Sequence, residues 1–272
     1  MPHTSFDPGP LGKNTHYCNE YDPTLLHAIA RVDMRPETPT AVPFFGVDII
    51  NAYELSWLDP LGKPKIAMAN LTIPCDSTYL IESKSLKLYL NSLQQTQFQD
   101  IVHVEKTLNK DISATVDAPI NIKLTPAHAF HQSTLQEFDG SCLDELELAI
   151  DHYHVEPAYL QTHSTQAEET VYSRLLRSNC PITNRPDWAS VQIYYCGPQI
   201  DHAGLLKYII SYRLDSGFHE ACIERIYNDI QTHCQPQKLS VYGRYTRRGG
   251  IDINPFRASW QTTPANIRLA QQ

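Results

Sequence analysis

The chain has little that would mark a secreted, membrane-bound or metal-built protein. Its 272 residues include 7 cysteines, at positions 18, 75, 142, 180, 196, 222 and 234, an odd number with no C-x-x-C pair. That pattern fits neither a disulfide framework nor a zinc ribbon, and in a reducing compartment most such residues are small buried hydrophobes. No basic segment followed by an apolar one follows Met1, so the expectation is a cytoplasmic protein without a secretory signal. The longest apolar stretch, residues 41–50, carries Pro43 and Asp48 and is too short to span a bilayer. Positive charge is also scarce. With 22 Lys and Arg against 30 Asp and Glu, the net charge of -8 argues against a broad nucleic-acid or acidic-membrane surface, and leaves room for a local basic site for one anionic cofactor. No G-x-G-x-x-G opens a helix, no Walker A motif occurs, and the histidines, His152 and His154 among them, form no H-E-x-x-H. Rossmann, P-loop and zincin chemistries are thereby disfavoured, and the paired histidines read as solvated.

What is present suits a packed core. A hydrophobic fraction of 42% and a charged fraction of 19% fit one large domain or two of ordinary size. Residues 1–40, rich in Pro, Gly, Asn and Asp, read as an irregular arm with a short helix around residues 25–30. Residues 44–58 and 65–75 read as strands, joined by a hairpin turn at Asp59-Pro60-Leu61-Gly62. Leu86, Tyr89, Leu90 and Leu93 recur at helical spacing. Strand-like segments follow at 101–108 and 120–124, then an acidic, His-rich connection over 132–169. Residues 191–196 and 205–214 read as strands, Cys222, Ile223, Ile226, Tyr227 and Ile230 as a helical stripe, and residues 239–245 as a strand of period two. In each half a strand leads into a Glu at a helix start, 67–73 into Glu82 and 208–214 into Glu220. This suggests a duplicated α+β unit, 41–150 and 151–272, with helices on antiparallel sheets; the same alternation also arises by coincidence.

The densest chemistry lies in residues 177–188. Two prolines, two asparagines and an aspartate exclude a regular helix and favour an ordered loop. Asp187 stands seven residues after Cys180, so a folded-back loop can join a thiol nucleophile to a proton-transfer partner. The spacing equally fits a buried Cys and a turn-capping Asp. Glu220, after Phe218 and His219, suits a helix N-terminus; its two oxygens can cap that helix or take the paired N–H donors of a guanine-like ring. Tyr245-Thr246-Arg247-Arg248-Gly249-Gly250 ends a strand with a close-approach backbone and phosphate donors, a pattern that a solvated charged turn shares.

Taken together, these segments resemble one family. Residues 82–92, reading Glu-Ser-Lys-Ser-Leu-Lys-Leu-Tyr-Leu-Asn-Ser, are similar to the signature of the NADPH-dependent 7-cyano-7-deazaguanine reductases. The segment from Cys180 to Trp188, Phe218-His219-Glu220, and residues 244–250 resemble that family in the same order. The resemblance implies two tandem tunnelling-fold (T-fold) units on one chain, and reduction of a nitrile to a primary amine on the way to queuosine in tRNA, with two NADPH consumed. It implies Cys180 as the nucleophile that forms a thioimide and Asp187 as proton donor. It places Ile81, Glu82, Ser83, His219 and Glu220 at the deazapurine substrate, and Ser83, Lys84, Arg248 and Gly249 at the cofactor. A homodimer without direct nucleic-acid or membrane contact is expected. The same fold houses zinc-dependent GTP cyclohydrolases and other purine- or pterin-binding proteins. Their Cys/His ligand set has no counterpart after Cys180, where Thr183 stands, so no metal is expected.

Overall fold

The computed structural model describes residues 18–35 and 43–272, and the expected irregular arm over 1–40 therefore lies largely outside the described residues. The chain forms two compact units. One comprises Ile49–Thr134, Arg247–Asp252 and the described part of Met1–Glu37; the other comprises Leu135–Thr246, Ile253–Gln272 and the described part of Thr38–Asp48. The architecture is α+β, with helices and antiparallel sheets. Among the described residues no helix is long and apolar enough to cross a membrane.

In the first unit, the helix expected at 25–30 is absent. Asp22 caps a single 3-10 turn, Pro23–Leu25, by accepting from the Thr24 N–H. The chain then extends as β1 (Ala28–Ala30) before the four-residue α1 (Arg31–Met34). β2 (Phe45–Leu58) enters from the second unit's segment and turns into β3 (Pro64–Pro74). Asp59 makes that turn, as expected: its carbonyl accepts from Gly62 N–H at 2.9 Å and its carboxylate from the Leu61 and Lys63 amides. β4 (Tyr79–Ile81) pairs with β1 and leads into α2 (Ser83–Ser92), a 3-10 turn at Leu93–Gln95, and α3 (Ile101–Val116). β5 (Asn121–Pro126) returns antiparallel to β3, with Ala69 opposite Leu124, giving the order β5-β3-β2. The expected strand at 101–108 is thus the first half of α3. Its β-branched residues mimic a strand, but Val104, Leu108 and Ile112 are buried at every fourth position and Asp100 caps the His103 N–H.

In the second unit, β6 (Ser141–Cys142), β7 (Thr162–Asn179) and β8 (Pro186–Ile200) precede α4 (His202–Ser211), a 3-10 turn at Tyr212–Leu214, α5 (His219–Cys234), β9 (Lys238–Tyr245) and β10 (Ile251–Ala258). The sheet order is β10-β9-β8-β7-β6, with only the short β6–β7 pairing parallel. The expected strand at 205–214 is α4 and its 3-10 extension. A continuous apolar run carries no strand-or-helix signature of its own, and here Asp201 starts a helix by accepting from Gly204 N–H. Val191, Ile193 and Val241 of the sheet pack against Ile209, Ile223 and Ile226 of the helices, all fully buried.

The helix correction changes the internal repeat. Each unit runs from a strand into a 10-residue helix, a 3-residue 3-10 turn, a 16-residue helix closed by a left-handed residue (Asp117 or Gln235), and a strand. The seventh residue of the short helix donates its hydroxyl to the eleventh of the long one in both, Tyr89 to Asp111 and Tyr208 to Asp229, each at 2.6 Å. The tenth residue, Ser92 or Ser211, donates to that tyrosine's carbonyl. The cap equivalent to Glu82 is therefore Asp201, and Glu220 matches the second residue of α3. Glu82 and Glu220 are therefore not equivalent, because the residues expected as a strand before Glu220 are helical.

Arg257, fully buried on β10, donates to Asp48 at 2.8 Å and to Glu224 at 2.7 Å, while its guanidinium lies 5.5 Å from the Phe44 ring centre. Arg257→Ala removes the cation from two buried carboxylates and is expected to cost about 3–5 kcal/mol. Denaturant unfolding checks this; a loss under ~1 kcal/mol would mean that water reaches the pair.

Candidate active site

Cys180 follows the last residue of β7 and opens a tight turn. Its N–H donates to Arg185 C=O at 2.8 Å, and its carbonyl accepts from Asn184 N–H at 3.0 Å. Asn184 takes a left-handed φ of 51°, which its short polar side chain tolerates. The expected loop is therefore shorter than 177–188: β8 starts at Pro186, and Asp187 and Trp188 lie on the strand.

Strand register decides what Asp187 faces. It pairs with Ser178, and Cys180 is two residues beyond Ser178, so Cys180, Ser178 and Asp187 share one sheet face. Diagonal neighbours of this kind lie about 7–8 Å apart at Cα, which leaves space for a small group between two short side chains. Ala189 opposite Leu176 and Tyr245 opposite Ala189 extend the same face to β9. Trp188 turns the other way, 40% exposed, with Arg177 and Arg213 against its ring.

α5 covers the reactive face. It comes close because Gly243 lies under it: a Cβ there would meet Ile223 Cδ1 at 2.6 Å. His219, its first residue, stacks on Tyr245 with ring centres 3.7 Å apart and planes within 4°. The imidazole Nδ1 faces the Ile253 carbonyl at 3.3 Å, which turns Nε2 toward Asp187 Oδ2 at 3.5 Å. Glu220 is buried one residue on. Phe218 supplies no side-chain cap to this helix. Cys180, Asp187, His219 and Glu220 are thus gathered in the second unit. The stem is held as well: Asn179 N–H donates to Asp215 C=O at 2.8 Å and Gly217 N–H donates to Asn179 C=O at 3.1 Å, tying the residues before Cys180 to those before His219. The other buried thiols of this unit are poor nucleophiles, since burial pushes Cys222 and Cys234 up to about 12.

The remaining expected residues lie in the first unit. Ile81 ends β4, and Glu82 caps α2 with both oxygens, accepting from Lys84 N–H at 2.7 Å and Ser85 N–H at 2.8 Å. Burial raises its carboxyl above the usual range against the lowering effect of those amides. Ser83 and Lys84 form the first turn of α2. Arg248 and Gly249 stand beside the same helix: Gly249 has φ 62°, and a Cβ there would meet Lys87 Cδ at 3.2 Å. Gly250 (φ 79°) lies against Glu54, where a Cβ would approach Oε2 to 2.5 Å. Ala52, Glu54, Lys87, Asn91, Gly249 and Gly250 line a cavity of about 220 Å³. The glycine turn and the Lys87 ammonium chain at this cavity leave room for a phosphate group beside the Glu54 carboxylate. Sequence reasoning missed Glu54 and the stacking role of Tyr245. The alternation through Val241, Gly243 and Tyr245 signalled the second; nothing local signalled the first. Among the described residues no three of His, Cys, Asp and Glu converge as a metal-binding group.

Comparisons with known proteins bear on the family. Residues 17–124 match the family model described as "Nitrile reductase, 7-cyano-7-deazaguanine-reductase N-term", and residues 186–264 match "QueF-like protein". Proteins named NADPH-dependent 7-cyano-7-deazaguanine reductase from Paraburkholderia xenovorans (52% identical) and Burkholderia lata (53%) align over 97% of this chain and 98% of their own length. A crystal structure of the archaeosine synthase QueF-Like in the apo form covers 37% of this chain and 98% of its own at 17% identity and a TM-score of 0.32, too loose a likeness to carry a structural argument. By its family matches and by half-identity across almost its whole length, the chain belongs to the NADPH-dependent 7-cyano-7-deazaguanine reductases.

Proposed function

We propose that this chain reduces the nitrile of 7-cyano-7-deazaguanine to the primary amine, 7-aminomethyl-7-deazaguanine, with NADPH, in the route to queuosine in tRNA. The observation that carries the chemistry is the shared face of Cys180 and Asp187 with His219 against the carboxylate. A nitrile carbon accepts hydride poorly until a soft nucleophile adds to it and its nitrogen is protonated. Cys180 sulfur supplies the bond to carbon, and the proton goes from Asp187 to nitrogen, giving a thioimide. His219, oriented by Ile253 C=O and stacked on Tyr245, holds Asp187 in place. NADPH supplies the hydride at each of two reductions. After the first, the C–S bond breaks with its electron pair, Cys180 leaves as the thiolate, and the released imine would take the second hydride and a proton to give the amine.

Recognition of the purine-like ring is assigned to Glu220 with His219, and on the other unit to Ile81, Glu82 and Ser83. Ser83, Lys84, Arg248 and Gly249 are assigned to NADPH, with Lys87 beside them at the cavity wall. The reading extends to two tandem T-fold units, one in each half of the chain, supported by the repeated helix lengths and Tyr–Asp bonds. It also extends to a homodimer at work in the reducing cytoplasm, where the seven cysteines, all free, stay thiols.

The direct test is NADPH consumption with 7-cyano-7-deazaguanine as sole acceptor, with the amine identified as product. No oxidation, or oxidation without amine, would end the proposal. Glu220→Ala is expected to raise the substrate Kd ~10–100-fold, because ring donors lose a charged partner worth about 1.5–3 kcal/mol. Titration calorimetry reads this, and an unchanged Kd would move ring recognition to Glu82.

A further inference from the structure

β9 and β10 pair regularly only from Tyr242 with Phe256 to Ser240 with Ala258. Beyond Tyr242 toward Tyr245 side chains replace the ladder. Thr246 N–H donates to Trp188 C=O on the β8 side at 2.9 Å, so the N–H and C=O of Tyr245 point away from β8. The first donates to Asn254 Oδ1 at 3.1 Å. The second accepts from Gln272 Nε2 at 3.0 Å, and that amide also donates to Asn254 Oδ1 at 2.9 Å. Gln272 Oε1 accepts from Arg244 Nε at 2.9 Å and from Leu269 N–H at 3.2 Å. One amide thus makes four hydrogen bonds while only 9% exposed, although its neighbour Gln271 is exposed. It pins the main chain of Tyr245, the residue on which the His219 ring lies.

We propose that Gln272 is a positioning residue for the reaction: by locking the Tyr245 backbone it fixes the His219 ring and hence the contact between His219 and Asp187. The inference rests on the assignment of His219 and Asp187 to the reaction. Without Gln272, Tyr245 C=O and Arg244 Nε lose their buried partner, and on the side away from β8 the Tyr245 main chain keeps only the bond from its N–H to Asn254 Oδ1. Gln272→Glu keeps the acceptor for Arg244 and loses the donor to Tyr245, so it separates the clamp from mere packing.

The test is a double-mutant cycle on the full-length protein, with kcat and KM measured for Gln272→Ala, Gln272→Glu, Tyr245→Leu and the pair Gln272→Ala/Tyr245→Leu, well below each variant's Tm. Expected are a fall in kcat of about tenfold for both Gln272 variants, little change in KM for NADPH, and a double variant no slower than Tyr245→Leu, since both act through one ring. If Gln272→Ala lowers only Tm, or if its effect multiplies with that of Tyr245→Leu, Gln272 is structural and the inference fails. His219→Ala serves as the separate control: full turnover there would overturn the site assignment itself, whereas slow turnover there with normal kcat in Gln272→Ala overturns the clamp alone.

Discussion

Replacing Cys180 with Ala removes turnover and, with it, a covalent adduct: incubated with 7-cyano-7-deazaguanine without NADPH, the unaltered protein gains the full mass of the substrate and the variant gains none. Addition of a thiol across C≡N expels nothing, so the increment equals the substrate mass. The expected fall in kcat is on the order of 10⁴-fold or more, the scale seen when a covalent nucleophile is deleted. Cys222 cannot substitute, because burial holds its thiol protonated, pushed up to about 12. Intact-protein mass spectrometry reads the adduct and NADPH absorbance reads the rate. A Cys180→Ala protein with normal turnover would end the nucleophile assignment, and adduct formation in that variant would locate the reactive sulfur elsewhere.

Asp187→Asn keeps the shape of the side chain and removes its proton chemistry. Positioned proton transfer contributes about 10²–10⁴-fold, and a loss of that size in kcat is expected with substrate affinity little changed. The amide can still face His219 Nε2, now 3.5 Å from Asp187 Oδ2, so the ring keeps its place and the loss reports proton transfer rather than collapse. The adduct should also form more slowly, since the thioimide nitrogen needs a proton as the C–S bond forms. Stopped-flow measurement of adduct formation beside steady-state turnover separates the steps. Near-normal rates in both would assign the proton to another acid, with His219 the nearest candidate.

Much was legible from residue order. Hairpin chemistry at Asp59–Gly62, the apolar stripes of α2 and α5, and the alternation of β9 each depend on neighbours a few residues apart, so local propensity and periodicity sufficed. The four motif segments identified the family, because residue types in that order are specific whatever the backbone does between them. Two strand assignments failed, at 101–108 and 205–214. β-branched or continuous apolar residues suit either element, and what decided for helix was burial against the sheets together with caps at Asp100 and Asp201. The mistaken pairing of Glu82 with Glu220 followed from that error. Only tertiary structure decided that Cys180 and Asp187 face the same way, since side-chain direction reverses with a one-residue change of register and seven residues of sequence do not state where the turn lies. Only tertiary structure could set His219 on Tyr245, or bring Gln272 back to the end of β9, because such contacts join residues 26 and 27 positions apart through packing that no local pattern encodes.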